Sequence, residues 1–500
     1  MHGGKIFMKK IDSKTDVLNK KFHNASKWSF MTEILPKIIA PLTNMILARV
    51  LVPEAFGMVA TITMITSFAD IFSQAGFHQY LVQHNFKNEE EFDLCSSIAF
   101  WMNIFISLLL WILIFIFRNS IANAVGNSGL GTGIAVAALS LPITSFTSIQ
   151  SSRFRKELNF KAIFYSRLVT SLIPLVITIP LAFAIKSYWA LIIGNIVMSI
   201  SNCVFLTLLS HWKPSFMFDL HKLKEMIEFC SWALCEQLLG WANLNIGVFI
   251  VGAFISEYYL GIYKTSMAMV NQIMAIIVNS LSPVLIATLS KFNESEKYYD
   301  FYYLFVKRIA MVILPIGIGI FVFRDTFTSI MLGSQWRDAI FFIGIWGIMR
   351  ALSIVYGAFS MEVFISQGKP KIATYSQILN LIVLLPILLI SAKMGFTELC
   401  IARSLINIWT ILVEWFLLYK YANIKINIII KDSLIFLFCS LIMGIIGFGL
   451  NKFSSSLIWS LIAISLCMVV YFLMIILMKK TRIIFFDFLN DFIGKKVKEI

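Results

Sequence analysis

Charged residues are scarce in this 500-residue sequence: they make up 14% of the chain, whereas hydrophobic residues make up 59%. A typical soluble domain carries about 25% charged residues. The chain therefore has too few polar residues to cover the surfaces of several soluble domains. These proportions also exclude a disordered protein or a nucleic-acid coat, despite a net charge of +15, and they predict an integral membrane protein.

Chemical motifs are also few. The seven cysteines include no CxxC pair and lie mostly in apolar runs, so we expect no disulfide framework. The six histidines form no HExxH pattern, and we expect no metal site. The sequence contains no GxxxxGK[ST] phosphate loop, which disfavours ATP hydrolysis by this chain. Because no nucleophile–base set stands out either, we expect neither an enzyme nor a bound cofactor.

Long apolar runs fill most of the sequence. Runs of about 20 residues, continuous and not alternating, predict an all-α protein with about fourteen transmembrane helices. The segments predicted to be cytoplasmic hold 30 of the 42 Lys and Arg residues, the opposite segments hold 7, and 5 lie within helices. This bias predicts that both termini are cytoplasmic. It also assigns the positive charge to topology and lipid contact and not to nucleic-acid binding.

A short internal repeat predicts two halves. Glu54 and Gly57, at the first helical hairpin, are matched 203 and 204 residues later by Glu257 and Gly261. Six helices per half is an even number, which predicts parallel repeats about an axis along the membrane normal. The predicted organisation is a cytoplasmic N-terminus (1–27), an N-lobe (28–210), a cytoplasmic linker (211–227), a C-lobe (228–420), two further helices (421–478) and a cytoplasmic amphipathic tail (479–500).

The segment around the first hairpin carries a family resemblance. Residues 47–57 read LARVLVPEAFG, and they are followed by FAD at 68–70 and QAGF at 74–77. This pattern closely resembles the start of bacterial polysaccharide flippases, the Wzx-type members of the multidrug/oligosaccharidyl-lipid/polysaccharide exporter superfamily. The basic loop 150–160 and the segment 365–370 resemble the loops of this family after helices four and ten. The resemblance covers about residues 25–420.

The resemblance implies two six-helix lobes in a MATE-like V-shaped arrangement, with two C-terminal helices, around a cavity that alternates its opening. It implies transport of undecaprenyl-diphosphate-linked oligosaccharide repeat units from the cytoplasmic to the periplasmic leaflet of the bacterial inner membrane. The implied partners are membrane lipids and a polysaccharide polymerase with its co-polymerase. A drug/cation antiporter and a lipid II flippase of the same superfamily are alternatives. A membrane polymerase or ligase is a further alternative, which the short outside loops disfavour.

Ionisable residues inside the predicted helices are the candidate site residues, because a charge there costs about 2.5–3.5 kcal/mol unless it faces a cavity or a partner. Arginine and lysine can replace the hydration of a lipid diphosphate by charge-assisted hydrogen bonds. The candidates for substrate binding are Lys37, Arg167, Lys264 and Arg350 within helices, Arg49 at the periplasmic rim, and Asn271, which is seven residues from Lys264 on the same helix face. The candidates for a cytoplasmic gate that captures the headgroup are Arg153 and Arg155.

Carboxylates inside the predicted helices are the candidates for coupling to an ion gradient, since a buried carboxylate can bind a proton or coordinate sodium. The coupling candidates are Glu33, Asp70 and Glu236. The sequence leaves open whether a proton or sodium gradient drives transport at all. For each charged candidate the alternative is a structural ion pair, such as the i,i+4 pair of Glu33 with Lys37.

A polar stripe marks the second predicted helix. Thr63, Ser67, Asp70 and Gln74 follow helical spacing, as does Thr66, so their side chains share one face. We interpret this stripe as a hydrophilic cavity wall for sugar hydroxyls. Hydrogen bonding between helices within one lobe is the alternative.

Overall fold

The computed structural model describes residue 28 and residues 39–74, 76–292, 295–369, 371–454 and 456–493. Within these ranges the chain folds into helices and turns and contains no strand. Among the described residues, thirteen helices are long and apolar enough to cross a membrane, and the shorter apolar helix Ile39–Val50 lies in the first predicted span. The all-α membrane fold that the continuous apolar runs predict is confirmed.

The chain divides into two compact units, one ending at Glu257 and the other beginning at Tyr258. The helices of the first unit are α1 (Ile39–Val50), α2 (Pro53–Gln74), α3 (Phe77–Gln83), α4 (Glu89–Ala124), α5 (Ser128–Lys156), α6 (Phe160–Ile185), α7 (Trp189–Leu209) and α8 (Leu220–Phe254). Within this unit α4 packs on α5, and α7 packs on α5 and α6.

The helix α8 begins earlier than the sequence predicts. Residues 220–227, predicted as part of the cytoplasmic linker, form its first two turns. Asp219 caps these turns, because its carboxylate accepts a hydrogen bond from the backbone N–H of His221 at 2.8 Å. Farther along, α8 packs on α2, where the Trp241 indole donates to the Ser67 hydroxyl at 3.0 Å. These contacts group α8 with the first unit.

The second unit begins within the first turn of a long helix. Its helices are α9 (Glu257–Phe292), α10 (Glu296–Val322), α11 (Arg324–Met331), α12 (Ala339–Ser366), α13 (Lys371–Met394), α14 (Phe396–Ala422), α15 (Ile426–Asn451), α16 (Leu457–Leu477) and α17 (Lys479–Ile493). At its core α10 packs on α12 and α15. The predicted lobes 28–210 and 228–420 are defined by the repeat and not by compactness, and that division remains a prediction.

The helix α6 departs from regular α-helical geometry at Pro174–Thr178, which form a π turn. There the N–H of Ile179 donates to the carbonyl of Pro174, five residues back. Proline lacks an amide donor and disturbs the regular ladder, and π turns are frequent at functional positions in helices. The turn is held against α7 by a close approach, since a Cβ added to Gly194 would lie 2.1 Å from Oγ1 of Thr178.

The predicted amphipathic tail begins with the helix α17. The Phe485 ring packs on Phe472 of α16, with ring centroids 5.6 Å apart. On another face of α17, Ile483 and Phe486 are exposed. Lys479 stands at the start of the helix, so α17 combines an apolar face with a basic end, as an interfacial helix does.

Candidate functional site

Three membrane helices of the second unit meet around Trp346 of α12. Its indole N–H donates to Oδ1 of Asn271 on α9 at 3.3 Å. The guanidinium of Arg403, on α14, lies 5.0 Å from a ring centroid of Trp346, which is a cation–π distance. The buried Tyr263 of α9 also lies close enough to Arg403 to interact with it. The predicted candidate Asn271 therefore shares a cluster with Arg403, an intramembrane cation to which the sequence assigns no role.

A second arginine belongs to the same cluster. Arg350 lies one turn after Trp346 on α12, close enough to Arg403 for their positive charges to interact. Its Nε is buried and has no hydrogen-bond partner in the described part of the chain. None of the ion pairs found among the described residues involves Arg350, Arg403 or the partly buried Lys264. Cations held among membrane helices without a carboxylate favour an oxyanion as ligand.

Two carboxyl groups of the second unit form a separate pair. Glu362 of α12 accepts a hydrogen bond from the Ser282 hydroxyl, and Glu414 of α14 accepts one from the Ser376 hydroxyl. The two carboxyl groups lie close enough to interact electrostatically. Glu362 lies twelve residues after Arg350, beyond a turn at residues 357–359, and none of the ion pairs among the described residues joins the two. The sequence assigns neither glutamate a role, because their proximity arises only when α12 packs on α14.

Asp70 of α2 is surrounded by neutral hydrogen-bond donors. Its carboxylate accepts from the Thr144 hydroxyl at 3.1 Å, the Gln74 carboxamide at 2.6 Å and the Ser73 hydroxyl at 3.2 Å. Among the described residues no cation forms an ion pair with it. For Glu236, on α8, the described residues supply no hydrogen bond or ion pair. The coupling role of both carboxylates stays a prediction.

A polar cavity of about 610 Å³ lies within the first unit, between α1, α5, α6 and α7. The polar side chains that line it in the described part of the chain are hydroxyls, carboxamides and one guanidinium, with no carboxylate among them. These polar residues are Thr43, Asn44, Thr144, Ser151, Ser166, Arg167, Thr170, Ser171, Thr178, Asn195, Ser199 and Asn202. Arg167 is the one predicted candidate among them. Of the residues predicted to bind substrate, Arg167 therefore lies at this cavity, and Asn271 and Arg350 lie in the arginine cluster of the second unit.

The polar stripe of α2 does not line this cavity. The Thr63 hydroxyl donates to the carbonyl of Val59 at 2.7 Å, and the Ser67 hydroxyl donates to the carbonyl of Met64 at 3.0 Å. The Ser67 hydroxyl also accepts from the Trp241 indole. These bonds stay within α2 or join it to α8, which favours the packing interpretation of the stripe.

Arg153, predicted for headgroup capture, is 8% exposed and makes contacts inside the first unit. Its Nη1 donates to Oδ1 of Asp93 at 2.5 Å and to the Ser96 hydroxyl at 3.2 Å. Its guanidinium lies 4.3 Å from the ring centroid of Phe92. These three partners stand in the first turns of α4, so Arg153 joins α5 to α4, and its Nη2 also lies 3.8 Å from Oε1 of Glu157. Its capture role stays a prediction.

The remaining predicted candidates lie elsewhere. Arg155 is exposed near the end of α5, two residues after Arg153. Burial and the positive charge of Arg155 lower the pKa of the nearby His78, which keeps its imidazole neutral at neutral pH. Arg49 is exposed at the end of α1. Lys37 and Glu33 lie outside the described residues.

The contact between α6 and α7 beside the cavity gives a direct test of the local packing. We expect Gly194→Val to lower the thermal unfolding temperature, because its added methyl groups overlap the Thr178 side chain. Overpacking of this kind costs about 1–3 kcal/mol. Gly449→Val is the matched control, since a Cβ at Gly449 meets nothing within 4 Å. Equal unfolding temperatures for the two variants in detergent would contradict the close approach of α6 and α7.

Residues 46–341 match the protein family described as polysaccharide biosynthesis protein. The chain is 23% identical over 450 residues to the teichuronic acid biosynthesis protein TuaB of Bacillus subtilis (strain 168), which covers 87% of this chain and 90% of that protein. It is 20% identical over 417 residues to the lipopolysaccharide biosynthesis protein WzxC of Escherichia coli (strain K12), which covers 81% of this chain and 82% of that protein.

Among solved structures, the chain is similar to the lipid II flippase MurJ in an inward closed conformation. The TM-score is 0.74 at 17% sequence identity, and the similarity covers 92% of this chain and 99% of that one. At this identity the similarity shows the fold alone. It agrees with the all-α superfamily fold that the sequence predicts.

Proposed function

Because the chain belongs to the polysaccharide biosynthesis protein family, we propose that it flips undecaprenyl-diphosphate-linked oligosaccharide repeat units from the cytoplasmic to the periplasmic leaflet. The family and the fold make it a membrane transporter of polysaccharide biosynthesis. The chemical identity of the cargo and the alternating access of a cationic cavity belong to the proposal. TuaB and WzxC are named for the synthesis of envelope polysaccharides, which supports such a cargo.

The observation that carries the proposal is the arginine cluster around Trp346. Arg350 and Arg403 concentrate positive charge among three membrane helices, and the described residues offer them no carboxylate partner. A lipid diphosphate is a membrane-bound oxyanion, and its oxygens accept bidentate hydrogen bonds from guanidinium groups. Each such charge-assisted hydrogen bond contributes about 1.5–3 kcal/mol. A cationic drug would be repelled by the same cluster, which favours the flippase over the antiporter.

The proposed setting is the bacterial inner membrane, with both termini in the cytoplasm. The excess of Lys and Arg in the segments assigned to the inside supports this orientation. We also propose that a polysaccharide polymerase and its co-polymerase act on the flipped product. A proton or sodium gradient is the proposed energy source, with Asp70 as the coupling residue, because its carboxylate is held by neutral donors alone among the described residues.

Vesicles containing the purified protein test the proposed function. We expect them to move a fluorescently labelled undecaprenyl-diphosphate oligosaccharide from the outer leaflet to the inner one, measured by protection of the label from a membrane-impermeant quencher. A matched undecaprenyl glycoside without phosphate should be moved much more slowly, because it offers the arginines no oxyanion.

Three outcomes of this assay bear on the proposal. Equal movement of both lipids would contradict the role of the arginine cluster. No movement of the diphosphate lipid, combined with efflux of a cationic dye, would favour the drug/cation antiporter. A strong preference for lipid II over polysaccharide repeat units would favour the lipid II flippase.

A further inference from the structure

The polar cavity of the first unit contains three asparagine side chains that the arginine cluster does not use. Asn44 belongs to α1, and Asn195 and Asn202 belong to α7. A carboxamide presents two donors and an acceptor in one plane. Sugar hydroxyls are also both donors and acceptors, so a wall of carboxamides suits them better than it suits a metal ion or an acyl chain.

The hydrogen-bonding capacity of these asparagines is largely unused. The Ser166 hydroxyl donates to Oδ1 of Asn202 at 2.5 Å, which leaves the amide donors of Asn202 available. The side chains of Asn44 and Asn195 make no hydrogen bond to any other described residue. No polar side-chain atom of Asn44 or Asn195 is both buried and without a hydrogen-bond partner. Asn195 is exposed, and Asn44 is partly buried. Polar groups in this position need water or a ligand, since leaving them dry is costly.

Hydroxyl groups beside the asparagines can also accept hydrogen bonds from a sugar. The Thr170 hydroxyl donates to the carbonyl of Ser166 at 3.0 Å, and the Ser199 hydroxyl donates to the carbonyl of Asn195 at 3.0 Å. Because their protons are used within their own helices, their oxygens remain acceptors for an incoming hydroxyl group. Among the described residues that line the cavity, Arg167 is the charged one, and its guanidinium favours neutral or acidic sugars over cations.

The cavity is large enough for a small-molecule ligand, and two of its lining helices are in close contact. Its volume of about 610 Å³ lies within the range of roughly 300–1,000 Å³ that small-molecule sites occupy. Thr178, in the π turn of α6, lies in close contact with Gly194 of α7, so the two lining helices are held at a short distance. Close packing between lining helices limits their rearrangement, which lowers the entropic cost of orienting a ligand.

We propose that this cavity is a sugar-binding subsite, in which Asn195 and Asn202 hydrogen-bond to hydroxyl groups of the transported oligosaccharide. The inference rests on the proposed function and adds to it, because it assigns recognition of the sugar hydroxyls to α7, whereas the proposed function assigns the diphosphate to Arg350 and Arg403. Sugar selectivity can then be changed without changing the arginines.

The test measures binding to the full-length protein in lipid nanodiscs with two probes. One probe is undecaprenyl diphosphate carrying the oligosaccharide extracted from the producing cells, and the other is undecaprenyl diphosphate alone. We expect the double variant Asn195→Leu/Asn202→Leu to raise the Kd of the sugar-bearing probe about tenfold, because two neutral hydrogen bonds to the sugar are lost. The Kd of the sugar-free probe should not change. Asn245→Leu is the control, since Asn245 donates to the Trp241 carbonyl of its own helix, outside the cavity.

The results distinguish failure of the sugar-binding subsite from failure of the proposed flippase function. An unchanged Kd for the sugar-bearing probe, or an equal loss for both probes, would overturn the sugar subsite and leave the flippase standing. Failure of the wild-type protein to bind either probe would remove the proposed function itself. If the double variant unfolds at a lower temperature than the wild type, the single variant Asn195→Leu replaces it, because Asn195 is exposed and makes no side-chain hydrogen bond to the described residues. The single variant should weaken sugar-bearing binding several-fold, and no change would overturn the subsite.

Discussion

Replacing Arg350 and Arg403 together by glutamine should abolish polysaccharide export while the protein remains folded in the membrane. Each substitution alone should lower transport roughly tenfold to a hundredfold, because a charge-assisted hydrogen bond contributes about 1.5–3 kcal/mol and glutamine retains only a neutral donor. The double variant should lose more than either single variant, since both guanidinium groups lie in one cluster. Surface polysaccharide in a complemented deletion strain, at matched membrane abundance, measures the effect.

Lys393→Gln provides the matched control for this experiment. Lys393 is an exposed cation near the end of α13 in the same unit, so its loss removes one positive charge without touching the cluster. Its export should equal that of the wild type. Full export by the double arginine variant would refute the cationic site, whereas an equal loss in Lys393→Gln would attribute the effect to net charge. Stability should change little, because removing two like charges from among the helices offsets the loss of the cation–π contact between Arg403 and Trp346.

Unlike the arginine variants of the second unit, Arg153→Leu should destabilise the folded protein. The substitution removes the ion pair to Asp93 and the cation–π contact with Phe92, and it leaves the Ser96 hydroxyl without its donor. Removing one partner of a buried pair costs about 3–5 kcal/mol, and the partial exposure of Asp93 reduces this to roughly 2–3 kcal/mol. Membrane abundance and the unfolding temperature in detergent should both fall.

Arg155→Leu is the comparison for Arg153→Leu. Arg155 is exposed, so its loss should leave the unfolding temperature close to that of the wild type. If Arg155 captures headgroups, its variant raises the apparent KM for the lipid-linked oligosaccharide at normal abundance. A normally folded Arg153→Leu protein with a raised KM would instead assign headgroup capture to Arg153, and would show that its contacts to α4 contribute little to stability.

The sequence predicts the helices well because hydropathy and length are local properties. Apolar runs of about 20 residues mark membrane spans whatever the rest of the chain does. The early start of α8 has a local origin as well. The segment 220–227 is polar, which predicts a linker before the apolar run, whereas the Asp219 cap begins the helix there.

The site is harder to predict from the sequence than the helices are, because it depends on which helix faces pack together. Arg350, Asn271 and Lys264 are recognisable as polar residues in apolar helices, but Arg403 gains its role only from contact with Trp346. The pair of Glu362 and Glu414 likewise forms across α12 and α14. Helical spacing assigns residues to one face of one helix, and it carries no information about the helix opposite.

The distribution of charge along α12 has a consequence for the rate of transport. In the proposed orientation, Glu362 lies toward the cytoplasm and Arg350 toward the periplasm. An anionic headgroup passing along this helix would therefore move down a gradient of electrostatic potential energy, away from the carboxyl pair and toward the guanidinium groups. A static field does no net work over a complete cycle. The attraction that speeds arrival of the headgroup at the arginines therefore raises the free energy needed for the headgroup to leave them by the same amount. Product release, and not capture, would then limit turnover.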